Sequence, residues 1–180
     1  MIVTNKDHYD YFLKKYPEND AKTVGWGSDE KQRKCFDILT YYTDKMDYVL
    51  DVGCGIGSLK DYNGWFDYHG IDVHEEMIKI AQQRHPRSSF QCIDLMDYDT
   101  KHDWVIACGV FNLRSQINQA GDAYQYHWLG SKIKKMFSLC NIGMAFNLLR
   151  FDNKKPAIPE LFYYEPFYLY EYLTQYPRRS

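Results

Sequence analysis

No stretch of the 180 residues approaches the roughly 20 consecutive apolar positions that a membrane-spanning helix needs. The opening residues M-I-V-T-N-K-D-H hold no signal-peptide core, and a cytoplasmic protein without a membrane association is expected. Cys35, Cys54, Cys92, Cys108 and Cys140 never fall in C-x-x-C spacing, so neither a disulfide framework nor a metal site is expected. Each lies in or beside an apolar segment, so most are expected to be small buried hydrophobes. A formal net charge of -2 leaves no basic excess for nucleic acid or an anionic membrane. Internal repeats and low-complexity tracts are missing too, and a single domain over 1–180 is expected. Aromatics, by contrast, are abundant at 17%, with 17 tyrosines. Tyrosine buries a large ring while keeping a hydroxyl, which suits half-buried walls and pockets.

Residues 48–59, Y-V-L-D-V-G-C-G-I-G-S-L, organise the chain. Val49, Leu50 and Val52 read as a buried parallel strand. Gly53, Gly55 and Gly57 follow at alternate positions, where missing Cβ atoms permit a tight turn and close approach of a ligand. Ser58 and Leu59 then open a helix whose amides face that ligand. A dinucleotide fingerprint needs a glycine at position 58, and the acid Asp51 stands just before the loop.

Five strand signals alternate with helical ones: 48–52, 68–72, 89–93, 104–109 and 143–149. With right-handed crossovers they predict a doubly wound, mostly parallel α/β sheet in the order 3-2-1-4-5, with helices on both faces. Residues 1–45 read as an N-terminal helical cap, 46–150 as the core and 151–180 as a C-terminal helical region. In the cap, 8–16 is a helix, 18–23 a polar connector, and a helix from Ser28 carries Cys35, Phe36, Leu39 and Tyr42 inward with Ile38 beside them. Trp26 either staples that helix or stands over a ligand.

Asp72 lies 19 positions beyond Gly53, where a carboxylate holds ribose hydroxyls; capping the helix near His74 is the other reading. Asp94 is suited to adenine's exocyclic amine, with Ile93 and Leu95 gripping the ring, or is a plain turn residue. Val110 to Arg114 follow the fourth strand, where such sheets place chemistry. Residues 115–126 read as a lid or wall and 128–140 as a helix. Asn147 is a satisfied link or part of a pocket. Near the end, Pro166 opens a helix with Phe167, Tyr170 and Leu173 on one face.

D-V-G-C-G-I-G at 51–57, followed by Asp72, Asp94 and the strand at 104–109, resembles class I S-adenosylmethionine (SAM) dependent methyltransferases. Finer details resemble a bacterial and phage subgroup distantly akin to the trans-aconitate type. These are V-G-W-G-S with Gln32 and Arg33, A-C-G-V-F-N at 107–112, A-F-N-L-L at 145–149 and F-Y-Y-E-P at 162–166. The resemblance implies SAM as cofactor and S-adenosylhomocysteine (SAH) as product. It implies Asp51, Gly53 and Gly55 at the methionine pocket, Asp72 at ribose, and Asp94 and Leu95 at adenine. Trp26, Arg33, Cys54, Gly57, Val73 and Cys108 are also expected at the cofactor.

Phe111, Asn112, Arg114, Trp128, Tyr163 and Tyr164 are the expected substrate contacts. No catalytic residue is assigned; His127 is the nearest candidate base, with a plain surface histidine as the other reading. The family sheet normally closes with an antiparallel hairpin, which is expected to be short or absent after Tyr176. The fifth strand's edge would then be covered by the tyrosine-rich helix, a partner chain or a second copy. Neither N-P-P-Y nor D-P-P-Y follows the fourth strand, and no P-C dipeptide occurs, which points away from nucleic-acid substrates. Methyl transfer to an oxygen, nitrogen or carbon of a small molecule is the expected activity. A SAM-binding accessory, degenerate or SAM-consuming protein is the alternative, and a NAD-binding reductase is disfavoured by Ser58.

Overall fold

A computed structural model describes residues 5–17, 20–62, 64–114, 121–151 and 158–174. The chain opens with α1 (Asn5–Lys15), the short α2 (Asp20–Thr23) and α3 (Asp29–Leu39). Ser28 caps α3, its hydroxyl accepting from the Lys31 amide at 3.4 Å. Gln32, Phe36 and Leu39 form the buried stripe. The inward face expected from the sequence is corrected here. The helix ends at Leu39, so Tyr42 lies beyond it, and both Ile38 and Tyr42 are exposed.

Five parallel strands follow: β1 (Tyr48–Val52), β2 (Asp67–Asp72), β3 (Ser89–Cys92), β4 (His102–Ala107) and β5 (Cys140–Phe146). Their order is β3-β2-β1-β4-β5, as the alternating pattern predicts. The connecting helices are α4 (Ser58–Tyr62), α5 (Glu75–Arg84) and α6 (Gly121–Leu139). Successive strand residues face opposite sides of a sheet. Leu50 and Val52 accordingly pack with Val105, Leu129, Ile133 and Met136 on the α6 side. Val49 packs with Phe36, Leu59, Ile78 and Ile106 on the other. Burying both faces fixes β1 at the centre, and with it the loop that follows. No helix among the described residues is long and apolar enough to cross a membrane.

Three further expectations change. Residues 121–126 are the first turns of α6 rather than a lid; 115–120 lie outside the described residues. Gln125, Leu129, Ile133 and Met136 make one buried stripe, whose polar first member hides the helical period. The Gln125 amide donates to the Leu113 carbonyl and the Tyr164 hydroxyl, both at 3.2 Å. β5 ends at Phe146, because Leu149 leaves the ladder. Its amide donates to Asn112 Oδ1, and its carbonyl accepts from the Tyr164 amide, each at 2.8 Å.

Residues 160–164 thus bridge the chain ends beyond β4 and β5, with the Phe162 amide donating to the Asn112 carbonyl at 2.8 Å. Finally, α7 (Pro166–Leu173) opens at Pro166 behind a Glu165 cap, as expected. Its packed residues are Leu169, Tyr172 and Leu173, whereas Phe167 and Tyr170 are exposed. The expected end of the fold after Tyr176 lies outside the described residues. Among the described residues no strand flanks the outer edge of β5.

Candidate functional site

A cleft opens at the carboxyl ends of β1, β2, β3 and β4, where an open doubly wound sheet places its ligand sites. The glycine loop forms its floor. The Gly53 and Cys54 amides both donate to the Ile71 carbonyl, at 2.8 and 3.0 Å. Gly53 has φ 68, and a Cβ there would fall 2.5 Å from a Val110 methyl, so the turn requires glycine. The Gly55 amide donates to Asp72 Oδ2, and the His74 amide to Asp72 Oδ1, each at 2.9 Å. Asp72 therefore braces the loop against the entry to α5.

The cap of α5 is His74, whose Nδ1 accepts from the Met77 amide at 3.4 Å. A neutral ring that accepts at Nδ1 carries its proton on Nε2, and Nε2 lies 3.1 Å from Asp10 Oδ1. This contact ties α1 to the cleft wall. Burial pushes the Asp72 carboxyl upward in pKa, partly offset by the two amides it accepts from. Asp51 is buried and accepts from the Tyr68 hydroxyl at 2.7 Å. Burial raises its pKa to about 7 against that hydrogen bond, with the nearby Asp72 charge adding to the rise.

At the end of β3, Asp94 Oδ1 accepts from the Met96 amide and from Lys132 Nζ, each at 2.8 Å. Burial pushes the Asp94 carboxyl up, but Lys132 and the Met96 amide together outweigh it and hold the pKa below its ordinary value. On the opposite wall the Trp26 indole lies against Gly109, where a Cβ would come within 3.3 Å of the ring. Trp26 thus lines the cleft. The Gly109 amide donates to Asn147 Oδ1 at 2.6 Å, which makes Asn147 a structural link.

Trp26, Asp51, Gly53, Cys54, Gly55, Asp72, Val73, Asp94, Leu95 and Cys108 all line the cleft, as do Phe111 and Trp128. The other expected residues sit elsewhere. Gly57 turns against the His85 ring, and Arg33 is exposed beside the Tyr62 ring at 6.0 Å. Asn112 holds the Leu149 amide, and the buried Tyr164 hydroxyl donates to the Phe111 carbonyl at 2.9 Å. Arg114 pairs with Asp122 at 3.2 Å, and the Tyr163 hydroxyl accepts from the Ile158 amide at 3.3 Å. His127 is exposed beside Tyr172, outside the cleft. Gln32 and Leu113, which lie in the stretches quoted above, line it too, whereas Lys6, Tyr9, His74 and Lys132 are lining residues that the sequence did not mark as site residues. Lys132 carried a signal, standing one helical turn beyond Trp128 on the same face.

Residues 49–125 match the family profile described as a methyltransferase domain. Over 129 residues the chain is 29% identical to the Mycobacterium tuberculosis methyltransferase-like protein Rv1506c, covering 68% of this chain and 76% of that protein. Among solved structures, it is similar to magnesium protoporphyrin IX methyltransferase of Synechocystis PCC 6803 with bound SAH. The TM-score is 0.70 at 17% identity, over 95% of this chain and 84% of that one. The [4+2]-cyclase SpnF gives 0.59 at 18% identity, over 88% and 61%. The chain has the class I, Rossmann-like methyltransferase fold. The matched domain holds the glycine loop, Asp72 and Asp94, and together these findings support a class I SAM-dependent methyltransferase with SAM as its cofactor.

The cleft's own chemistry fits that cofactor. SAM carries a cationic sulfonium and ammonium, a ribose and an amino-purine, and the cleft offers three carboxylates beside a glycine floor. The Ser58 hydroxyl also lines it, buried and without a hydrogen-bond partner among the described residues, as a group reserved for a ligand would be.

Proposed function

We propose that the protein transfers the methyl group of SAM to an oxygen, nitrogen or carbon atom of a small molecule. The observation that carries this reading is a single cleft in which the glycine loop and Asp51, Asp72 and Asp94 meet an aromatic wall of Trp26, Phe111 and Trp128. SAM supplies the electrophilic methyl; the protein holds and orients the reactants, which is most of what an in-line displacement requires. Asp72 would take the ribose hydroxyls on the lone pairs its two amides leave, Asp94 the adenine amine, and Asp51 with Gly53 and Gly55 the methionine portion. Phe111, Leu113 and Trp128 would bound the acceptor. Both ring nitrogens of His74, the histidine lining the cleft, are already engaged. An acceptor that arrives without a proton to lose needs no base there.

Incubation with methyl-labelled SAM and a small-molecule extract should move label into a low-molecular-weight product. The absence of an unengaged histidine base in the described cleft also favours a second reading, SAM binding without methyl transfer. Tight SAM binding with no labelled product in any fraction would support that alternative. The reading places the protein in the cytoplasm, with no nucleic-acid or membrane partner. A second copy pairing along the outer edge of β5 is its proposed assembly. Sedimentation should then show a dimer that a proline inside β5 dissociates; a monomer at all concentrations speaks against pairing.

A further inference from the structure

Lys132 sits on α6, one turn beyond Trp128, with its side chain only 13% exposed. Its ammonium lies 2.8 Å from Asp94 Oδ1 and 6.0 Å from the Trp128 ring centre. All three residues line the cleft. A lysine is seldom this buried unless its charge is paired, and an exposed ion pair would add little to stability. Here Lys132 is set into the cleft wall, while the Asp94 side chain, at the end of β3, stays 43% exposed. Asp94 Oδ1 takes two donors, Lys132 Nζ and the Met96 amide, also at 2.8 Å. Oδ2 receives neither.

We infer that Lys132 is a positioning residue for the cofactor's purine: by occupying Asp94 Oδ1 it turns Oδ2 toward the exocyclic amine. This rests on the SAM reading above. An oriented, ionised carboxylate accepts from a 6-amino group and opposes a 6-oxo group, whose lone pairs face its own. A site built to hydrogen-bond an N–H rejects an analogue lacking it far more strongly than an apolar pocket does. Lys132 is therefore a specificity-determining residue, setting how sharply the cleft distinguishes an amino-purine from an oxo-purine.

The test compares SAH with its 6-oxo counterpart, S-inosylhomocysteine, by titration calorimetry on the full chain. The wild type should prefer SAH. Lys132→Met should weaken SAH binding by about tenfold, the loss of one charge-assisted contact, while S-inosylhomocysteine changes by less than about twofold. Lys132→Arg keeps a cation beside Asp94 and should retain the preference. If the methionine variant does not fold, Lys132→Gln serves in its place and should narrow the preference in the same sense. Equal losses for both ligands would mean that Lys132 merely supports the fold, and unchanged affinities for both would mean that it does not position Asp94. Either overturns the inference. A wild type that binds neither ligand fails earlier, overturning the SAM reading and this inference with it.

Discussion

Replacing Asp72 with alanine removes one acceptor from two backbone amides, those of Gly55 and His74, each 2.9 Å from a carboxylate oxygen. A hydrogen bond to a charged group contributes about 1.5–3 kcal/mol, so the two together suggest a loss of roughly 3–6 kcal/mol. Burial of Asp72 offsets part of that, as the upward displacement of its pKa shows. A net loss of about 2–3 kcal/mol is therefore expected, which for a chain of this size lowers the melting temperature by roughly 4–12 °C. SAH binding should weaken by a further 1.5–3 kcal/mol or so, roughly 10- to 150-fold, if the remaining lone pairs hold ribose. Thermal denaturation of the ligand-free protein and calorimetry with SAH separate the two roles. Asp72→Asn, which keeps one oxygen, should fall between. A melting temperature equal to wild type would refute the bracing argument. A folded Asp72→Ala variant with undiminished affinity would refute the ribose contact and leave Asp72 as a brace alone.

In the proposed site Asp51 would link cofactor binding to pH. Its folded pKa of about 7 lies above the ordinary 3.8, so between those values the unfolded chain releases its proton first. The ligand-free fold should lose stability as pH rises through that window, on the order of 4 kcal/mol in all, and Asp51→Asn should abolish the slope in urea titrations. SAM affinity should rise as pH passes about 7, where the ionised carboxylate faces a cationic ligand. His69 and His102 act in the opposite sense. Burial lowers both pKa values below 6.5, so their contribution is present above that pH and is lost as pH falls. His69 Nε2 is buried without a partner among the described residues, so His69→Phe should flatten the acid limb while costing less than about 1 kcal/mol at pH 8. Tyr164→Phe strands the Phe111 carbonyl and should cost about 1–2 kcal/mol in urea denaturation; SAH affinity should stay unchanged, because Tyr164 lies outside the cleft wall.

Local pattern made the sheet legible. Short strand-like runs end just before Gly53, Asp72 and Asp94, buried in β1 and largely exposed in the edge strand β3, and their alternation with helical segments predicts the order. The glycine loop and its acids were legible for the same reason, since they lie close in sequence and at strand ends. Asn112 and Tyr164 were misplaced because their role depends on residues 160–164 returning between the chain ends beyond β4 and β5, a long-range pairing that no local period encodes. Gln125 concealed the start of α6, because a buried amide with two partners is polar in sequence yet interior in the fold. Lys132 and Asp94 are 38 residues apart, and only the packing of α6 against the turn after β3 brings them together. The clasp of Asp10 on His74 has the same character, spanning 64 residues.

Titration of the purified protein with SAM, SAH and NAD tests the central claim most directly. Saturable single-site binding of SAM and SAH, weakened by Asp72→Ala and absent for NAD, is the predicted result. A protein that binds NAD, or that gives no heat with either SAM or SAH, would contradict the assignment of the cleft.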